Sequence, residues 1–260
     1  MIAPFKTRIF TIANQKGGVG KTTTTVNLAA GLTKVGKRVL MVDLDPQGNA
    51  TMGSNIDKRN MKLTVYDVLL ESASIKETKI RSELCGYDVL GANRELAGAE
   101  VELVHLERRE MRLKKALHAV KDDYDFVLID CPPVIGVLMV NAMAACDRIL
   151  IPVQTEFLAL KGLDRMLATM QLMQSNTQPG YQFTIVPTMY DKRTKASLDA
   201  YKALKAQYQE RVWSAVIPID TKFRDASLAQ TPPPVFAPKS RGVFAYNTLL
   251  TYLLQLAPEN

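Results

Sequence analysis

Asn14-Gln15-Lys16-Gly17-Gly18-Val19-Gly20-Lys21-Thr22-Thr23 follows an apolar run (Ile9, Phe10, Ile12) and precedes apolar residues at helical spacing (Val26, Leu28, Ala29, Leu32). The stretch reads as strand, glycine-rich turn, helix. A turn without side chains lets several backbone N–H groups converge on one anion, and the positive end of the helix dipole adds to them. Lys16, Gly17, Gly18, Val19, Gly20, Lys21, Thr22 and Thr23 are therefore candidates to wrap the phosphates of a nucleotide. Within that set Lys21 is placed to reach the β/γ-phosphates and the Thr22 hydroxyl to ligate Mg²⁺.

The standard phosphate loop, G-x-x-x-x-G-K-[ST], needs a glycine at position 15, where this chain has Gln15; Lys16 and Gly17-Gly18 stand inside the loop instead. Lys-Gly-Gly-x-Gly-Lys-Thr resembles the deviant Walker A box of the ParA/MinD family of ATPases. In that family the first lysine reaches across a dimer interface to the partner's nucleotide, which the resemblance implies for Lys16. The competing reading is a glycine turn with no ligand. It requires three glycines, each used at about 7% on average, to coincide by chance with two lysines and a threonine.

Downstream, Arg38 to Val42 is a continuous apolar run of the kind buried on both faces of a parallel sheet, ending in Asp43-Leu44-Asp45-Pro46-Gln47-Gly48-Asn49. Carboxylates at the C-terminal end of a strand lie where ligands bind in open α/β sheets. Tyr124 to Asp130 repeats the pattern, a buried strand delivering Asp130 ahead of Cys131-Pro132-Pro133. Such an aspartate can hold a water on Mg²⁺ and complete the shell that Thr22 begins. Between these strands lie a short helix candidate around Val65 to Leu70, a strand at Tyr87 to Ala92, and a long helical pattern from about Glu100 to Val120. The charges of that pattern (Glu107, Arg108, Arg109, Glu110, Lys114, Lys115) read as a solvated face.

Two more strand-helix units follow, Arg148 to Pro152 with Leu158 to Met173, and Phe183 to Pro187 with Lys195 to Gln209. A last strand, Val212 to Pro218, leads to a C-terminal helix beginning near Arg241, with the first helix ending near Gly36. The alternation predicts an α/β fold: a single, doubly wound, mostly parallel sheet flanked by helices, residues 1–260 forming one domain.

With 260 residues, 47% apolar and 23% charged, the chain can bury a full core. A net charge of +7 points to a polyanionic partner, nucleic acid or an anionic membrane surface, against the plainer reading of a basic soluble surface. Cys85, Cys131 and Cys146 have neither disulfide nor metal spacing and fit a reducing cytoplasm. Neither Met1 to Arg8 nor any later stretch carries an apolar run long enough for secretion or for crossing a membrane.

The resemblance extends along nearly the whole chain: the loop, Val42 to Asn49, Leu96-Ala97-Gly98-Ala99-Glu100, Leu128 to Pro133, and Ser240-Arg241-Gly242. In this order they resemble chromosomal or plasmid partition ATPases of the ParA (Soj) type. The resemblance implies that Asp45 orients or activates the attacking water, that Asp43 and Asp130 support Mg²⁺, and that Lys16 and Lys21 act on the phosphates of ATP. It further implies an ATP-dependent homodimer, non-specific DNA binding in that state, slow hydrolysis stimulated by a ParB-type partner, and a cytoplasmic, nucleoid-associated location. Basic residues gather late in the chain; of these, Arg193 stands where relatives carry a DNA-contacting arginine, while Ile219 stands where many have another. Lys222 and Arg224 are the candidates to compensate.

Three other functions compete. A MinD-like membrane-cycling ATPase would carry a basic amphipathic C-terminal helix, but Val243 to Asn260 has no lysine or arginine and a single acid, Glu259. A cluster-bearing reductase would need bridging cysteines, which Cys131 does not resemble. A relative that positions a protein cargo is not separated by sequence.

Overall fold

The computed structural model describes residues 6–173 and 180–256. Met1 to Phe5 and Glu259, used in the readings above, lie outside them. Among the described residues seven strands form one sheet: β1 (Arg8–Ile12), β2 (Val39–Asp43), β3 (Ile80–Ser82), β4 (Tyr87–Leu90), β5 (Phe126–Asp130), β6 (Arg148–Gln154) and β7 (Phe183–Thr188). The helices are α1 (Lys21–Lys34), α2 (Asn49–Gly53), α3 (Val65–Leu69), α4 (Ile75–Thr78), α5 (Leu96–Glu102), α6 (Arg112–His118), α7 (Val137–Ala145) and α8 (Phe157–Met173). After β7 come α9 (Lys195–Tyr208), α10 (Lys222–Leu228), α11 (Pro233–Phe236) and α12 (Arg241–Gln255).

The strand order is β3-β4-β2-β5-β1-β6-β7, and only the β3–β4 pair is antiparallel. The order turns back at β1, so the loop that leaves it opens at a switch point where α/β sheets bind ligands. Each central strand divides its residues between two cores. Leu40, Val42, Val127 and Ile129 face α3, α5, α6 and α7, whereas Val39, Met41, Phe126 and Leu128 face α1 and α12. Burial on both faces is why these strands are continuous apolar runs. The last helix is a core element, as its composition predicts: Val243, Tyr246, Leu249, Leu250 and Leu253 are buried, and Tyr246 Oη bonds Thr24 Oγ1 of α1 at 2.8 Å. No helix among the described residues is long and apolar enough to cross a membrane.

Two expectations about elements need correction, and one strand lies outside those the sequence pattern predicts. The pattern from Glu100 to Val120 is two helices, α5 and α6, separated by 3₁₀ turns around Arg108, whose φ of 50° is left-handed. Its apolar positions part company there: Val101 and Val104 are exposed while Leu113 and Leu117 are buried, so no single apolar stripe persists to hold one helix. Val212 to Pro218 pairs only at two isolated bridges, Ile185 with Val212 and Tyr190 with Pro218. β3, a three-residue edge strand bearing Arg81, was not anticipated; short charged edges give little periodic signal.

Candidate nucleotide site and basic face

The loop after β1 owes its shape to Gly18 (φ 72°) and Gly20 (φ 94°), both in the left-handed region that penalises other residues. Gly20 is the N-cap of α1, and no side chain caps that helix. Its first-turn N–H groups are thus left for an anion. The loop is pinned from three sides. Asn14 Nδ2 donates to Pro152 O (2.7 Å), Lys16 N donates to Asn14 Oδ1 (2.9 Å), and Thr188 Oγ1 donates to Val19 O (2.8 Å). The amide nitrogen of Gln15 is buried with no partner among the described residues, a donor that an oxygen-rich ligand would satisfy.

The two loop lysines differ. Lys21 is 7% exposed and donates to the Lys16 carbonyl at 3.0 Å. Burial pulls its pKa down, while the charges of Asp130, Cys131 and Asp45 oppose that shift. The Lys16 ammonium is partly exposed and pairs with Glu156, at the threshold of α8.

Asp130 ends β5 fully buried. Its Oδ2 accepts from Thr22 Oγ1 (2.8 Å) and its Oδ1 from Thr25 Oγ1 (2.9 Å). Burial, and then the charge of Asp43 beside it, push its pKa up. Asp43 is its register partner on β2. The Asp43 oxygens are occupied within the fold, accepting from Thr51 N (2.8 Å), Thr51 Oγ1 (2.8 Å) and Asp45 N (3.0 Å). Asp43 therefore braces the turn that carries Asp45, whose own Oδ1 accepts from Gln47 N (2.9 Å). Gly48 closes that turn with φ 63°, and a Cβ there would stand 2.5 Å from Ala92 O. A hydroxyl and a carboxylate are the hard oxygen donors that Mg²⁺ takes, and Mg²⁺ ordinarily uses one or two carboxylates alongside phosphate oxygens. The donor set fits that cation.

The basic candidates take no part in the hydrogen bonds around Asp130 and Asp43, although Phe223 of α10 lines a pocket with Thr22 and Thr23. Arg193 follows β7 and makes a two-point ion pair with Asp191 (Nε to Oδ1 2.9 Å, second nitrogen to Oδ2 2.8 Å) while its side chain is 79% exposed. Arg193, Ile219 and Arg241 line one groove of about 870 Å³, walled by Tyr190, Trp213 and Phe244. Lys222 and Arg224 are exposed on α10 and are not among its walls; Lys222 pairs with Asp225 at 3.2 Å. The structure thus brings Arg193 together with Arg241, a residue read above only as part of a motif. That motif has a structural reason as well: Ser240 caps α12, and a Cβ on Gly242 would meet the Phe223 ring at 2.1 Å.

Sequence reasoning also missed Thr25, Thr51 and Glu156. Only Thr25 left a local signal, standing one helical turn after Thr22 in the run Thr22 to Thr25.

A glycine cradle at the switch point, with a buried lysine and a threonine of α1 bonded to the aspartate that ends β5, defines the class of P-loop nucleoside triphosphatases, here with a second lysine in the loop. The model of the AAA-domain family matches residues 7–183. The sporulation initiation inhibitor protein Soj of Bacillus subtilis is 43% identical over 92% of this chain and 95% of its own length. The chromosome partitioning protein ParA of Caulobacter vibrioides is 41% identical over 92% and 91%. Among solved structures, one titled cobyrinic acid a,c-diamide synthase from Mycobacterium smegmatis, with bound ATP analogue and magnesium, superposes with a TM-score of 0.84 at 37% identity, covering 96% of this chain and 95% of that one. The ATP complex of a Cyanothece McdA variant shares the fold, with a TM-score of 0.85 at 19% identity over 98% of both chains. The chain belongs to the ParA/Soj family of partition ATPases.

Proposed function

We propose that this chain is an ATPase that dimerises on binding ATP and Mg²⁺, binds DNA without sequence preference in that state, and drives the partition of chromosomal or plasmid DNA with a ParB-type partner. The observation that carries the reading is the division of labour between the loop lysines. Lys21 is buried and turned onto its own loop, whereas the Lys16 ammonium stands outward in a partly exposed ion pair. A lysine serving its own subunit needs the first arrangement; one serving a partner needs the second.

In this reading residues 16–23 hold the phosphates of ATP through backbone N–H groups, and Lys21 meets the β/γ oxygens. Thr22 and Asp130, with Asp43 in support, would hold Mg²⁺, and the ion would supply neutralisation of phosphate charge. Asp43 acts through the turn it braces, and Asp45 orients the attacking water. Lys16 leaves Glu156 to reach the second subunit's nucleotide. Positioning and charge neutralisation supply most of the catalysis of phosphoryl transfer, so no covalent intermediate is needed. Arg193 and Arg241, exposed along one aromatic groove, are the cations offered to DNA, with Lys222 and Arg224 flanking. The location that follows is cytoplasmic and nucleoid-associated.

The test measures mass and ATPase rate together. Light scattering should give a monomer without nucleotide and a dimer with ATP and Mg²⁺. Turnover should rise when duplex DNA and the N-terminal peptide of a ParB-type protein are both present. A monomer under every nucleotide condition, or a rate indifferent to DNA and peptide, overturns the reading.

A further inference from the structure

The motif Leu96-Ala97-Gly98-Ala99-Glu100 takes no part in the phosphate cradle, yet it lies between the two loops that carry the site's carboxylates. Leu96 and Ala99 are fully buried and seat α5 on the sheet. From that seat Glu100 Oε2 accepts the N–H of Val137, the first residue of α7, at 3.1 Å. Gly136, the N-cap of α7, offers no side-chain cap of its own. Its backbone is extended (φ −152°), so glycine is not there for conformational freedom. A Cβ at Gly136 would stand 2.5 and 2.7 Å from the two Glu100 oxygens; glycine leaves the space that the carboxylate occupies.

The segment leading into α5 grips the other loop. Ala92 N donates to Thr51 Oγ1 (3.0 Å), and Thr51 Oγ1 donates to Asp43 Oδ2 (2.8 Å) in the brace beneath Asp45. Residues 92–100 thus connect the Asp45 turn to residues 131–136, which leave Asp130 for α7.

We propose that Glu100 is a positioning residue for hydrolysis: by capping α7 it fixes the loop after Asp130 against the turn that carries Asp45. The inference rests on the reading that ATP is hydrolysed at this site. Two substitutions break one contact from opposite sides. Glu100→Ala removes the acceptor. Gly136→Ala displaces the same carboxylate at little cost to the backbone, because what the methyl meets is the end of a flexible side chain.

In the full chain, with DNA and saturating ATP, each variant should lower kcat about 10-fold, as small misplacements of reacting groups do. Affinity for a fluorescent ATP analogue should stay within about 2-fold, a split that marks loss of transition-state rather than ground-state contacts. The double variant should be no slower than either single one, since both remove the same interaction. Glu100→Gln keeps an acceptor oxygen and should run within about 2-fold of the natural chain. Losses that multiply in the double variant, affinity that falls in step with kcat, or a Glu100→Gln as slow as Glu100→Ala each overturn the proposal. A natural chain that binds no ATP takes the site reading down with it. Full-rate Glu100→Ala beside a dead Asp45→Ala sinks this proposal alone.

Discussion

The two ends of the sheet's ligand edge are built on opposite plans. Around β1, β2 and β5 the charged groups are buried and answered within the fold: Asp130 by Thr22 and Thr25, Asp43 by Thr51 and Asp45, Lys21 by the Lys16 carbonyl. Beyond β7 they are exposed, and the ion pairs are local, Arg193 with Asp191 and Lys222 with Asp225. Buried polar groups in a fixed arrangement are strongly coupled, so each one matters severally and losses are steep. Exposed cations facing a polyanion act nearly independently, and each contributes a small share. The first plan suits chemistry at one atom; the second suits adhesion to a long, repetitive target.

The steepest expected loss is at Lys21. Lys21→Ala removes the buried loop cation that the proposed function assigns to the phosphates, and turnover should drop by about 10³-fold or more, with nucleotide affinity falling too. Titration with a fluorescent ATP analogue and a coupled ATPase assay check both. A variant with natural affinity and rate would show that the buried end is not where nucleotide is held.

Asp45→Ala comes next, and its signature differs. If Asp45 orients the attacking water as proposed, its loss should cost about 10²-fold in kcat while ATP binding and the proposed dimerisation survive. Single-turnover kinetics against equilibrium binding separate the two. If affinity is lost and the bound fraction turns over normally, Asp45 holds nucleotide rather than water.

The contrast between the regions also explains what could be read from the sequence. The placement of Lys21, Thr22, Asp43, Asp45 and Asp130 at a strand end or a helix start is legible, because those positions are written in a few adjacent residues; the bonds that Asp43 makes to Thr51 are not. Thr51 and Glu156 were not, because they meet the site only through tertiary packing; Glu156 reaches Lys16 from 140 positions away. The parallel sheet followed from its doubly buried apolar runs. Spacing predicts one helix from Glu100 to Val120, and the structure divides it because Val101 and Val104 face solvent, which spacing alone does not encode. On the basic face, composition announces a surplus of cations but no local pattern tells which ones share a groove, and it is Arg241, not Lys222 or Arg224, that lines the groove with Arg193.

Thr25→Val sharpens the contrast from the stability side. It leaves Asp130 Oδ1 without its threonine donor in a fully buried place, which should destabilise the fold by about 1–3 kcal/mol. Urea unfolding gives the number. The same measurement on Lys222→Ala, whose pair is exposed, should stay within about 0.5 kcal/mol of the natural chain. Equal losses at both positions would erase the distinction drawn between the two ends.

The smallest effects belong to the basic face, and salt is the way to see them. A protein that binds duplex DNA by displacing condensed counterions loses affinity linearly on a log–log plot against salt, and each phosphate contact contributes about 0.9 to the slope. Arg193→Ala and Arg241→Ala should each reduce the slope by about 1, almost equally for unrelated sequences, because phosphate contacts carry no base information. Asp191 makes the test sharper. It holds Arg193 in a two-point pair, and the hydrogen bonds from Arg193 lower the Asp191 pKa to about 2. A carboxylate with a depressed pKa keeps its pair above the ordinary carboxylate range and loses it only as pH falls through the depressed value. Moving from pH 8 to pH 5 should therefore leave Arg193 paired and this residue's share of the slope unchanged. Asp191→Asn should free the guanidinium at every pH in that window and tighten DNA binding a few-fold at low salt. An Asp191→Asn chain that binds more weakly would mean that Asp191 aims Arg193 at its target. A slope untouched by either arginine substitution would move the DNA contact to α10, where Lys222 and Arg224 stand.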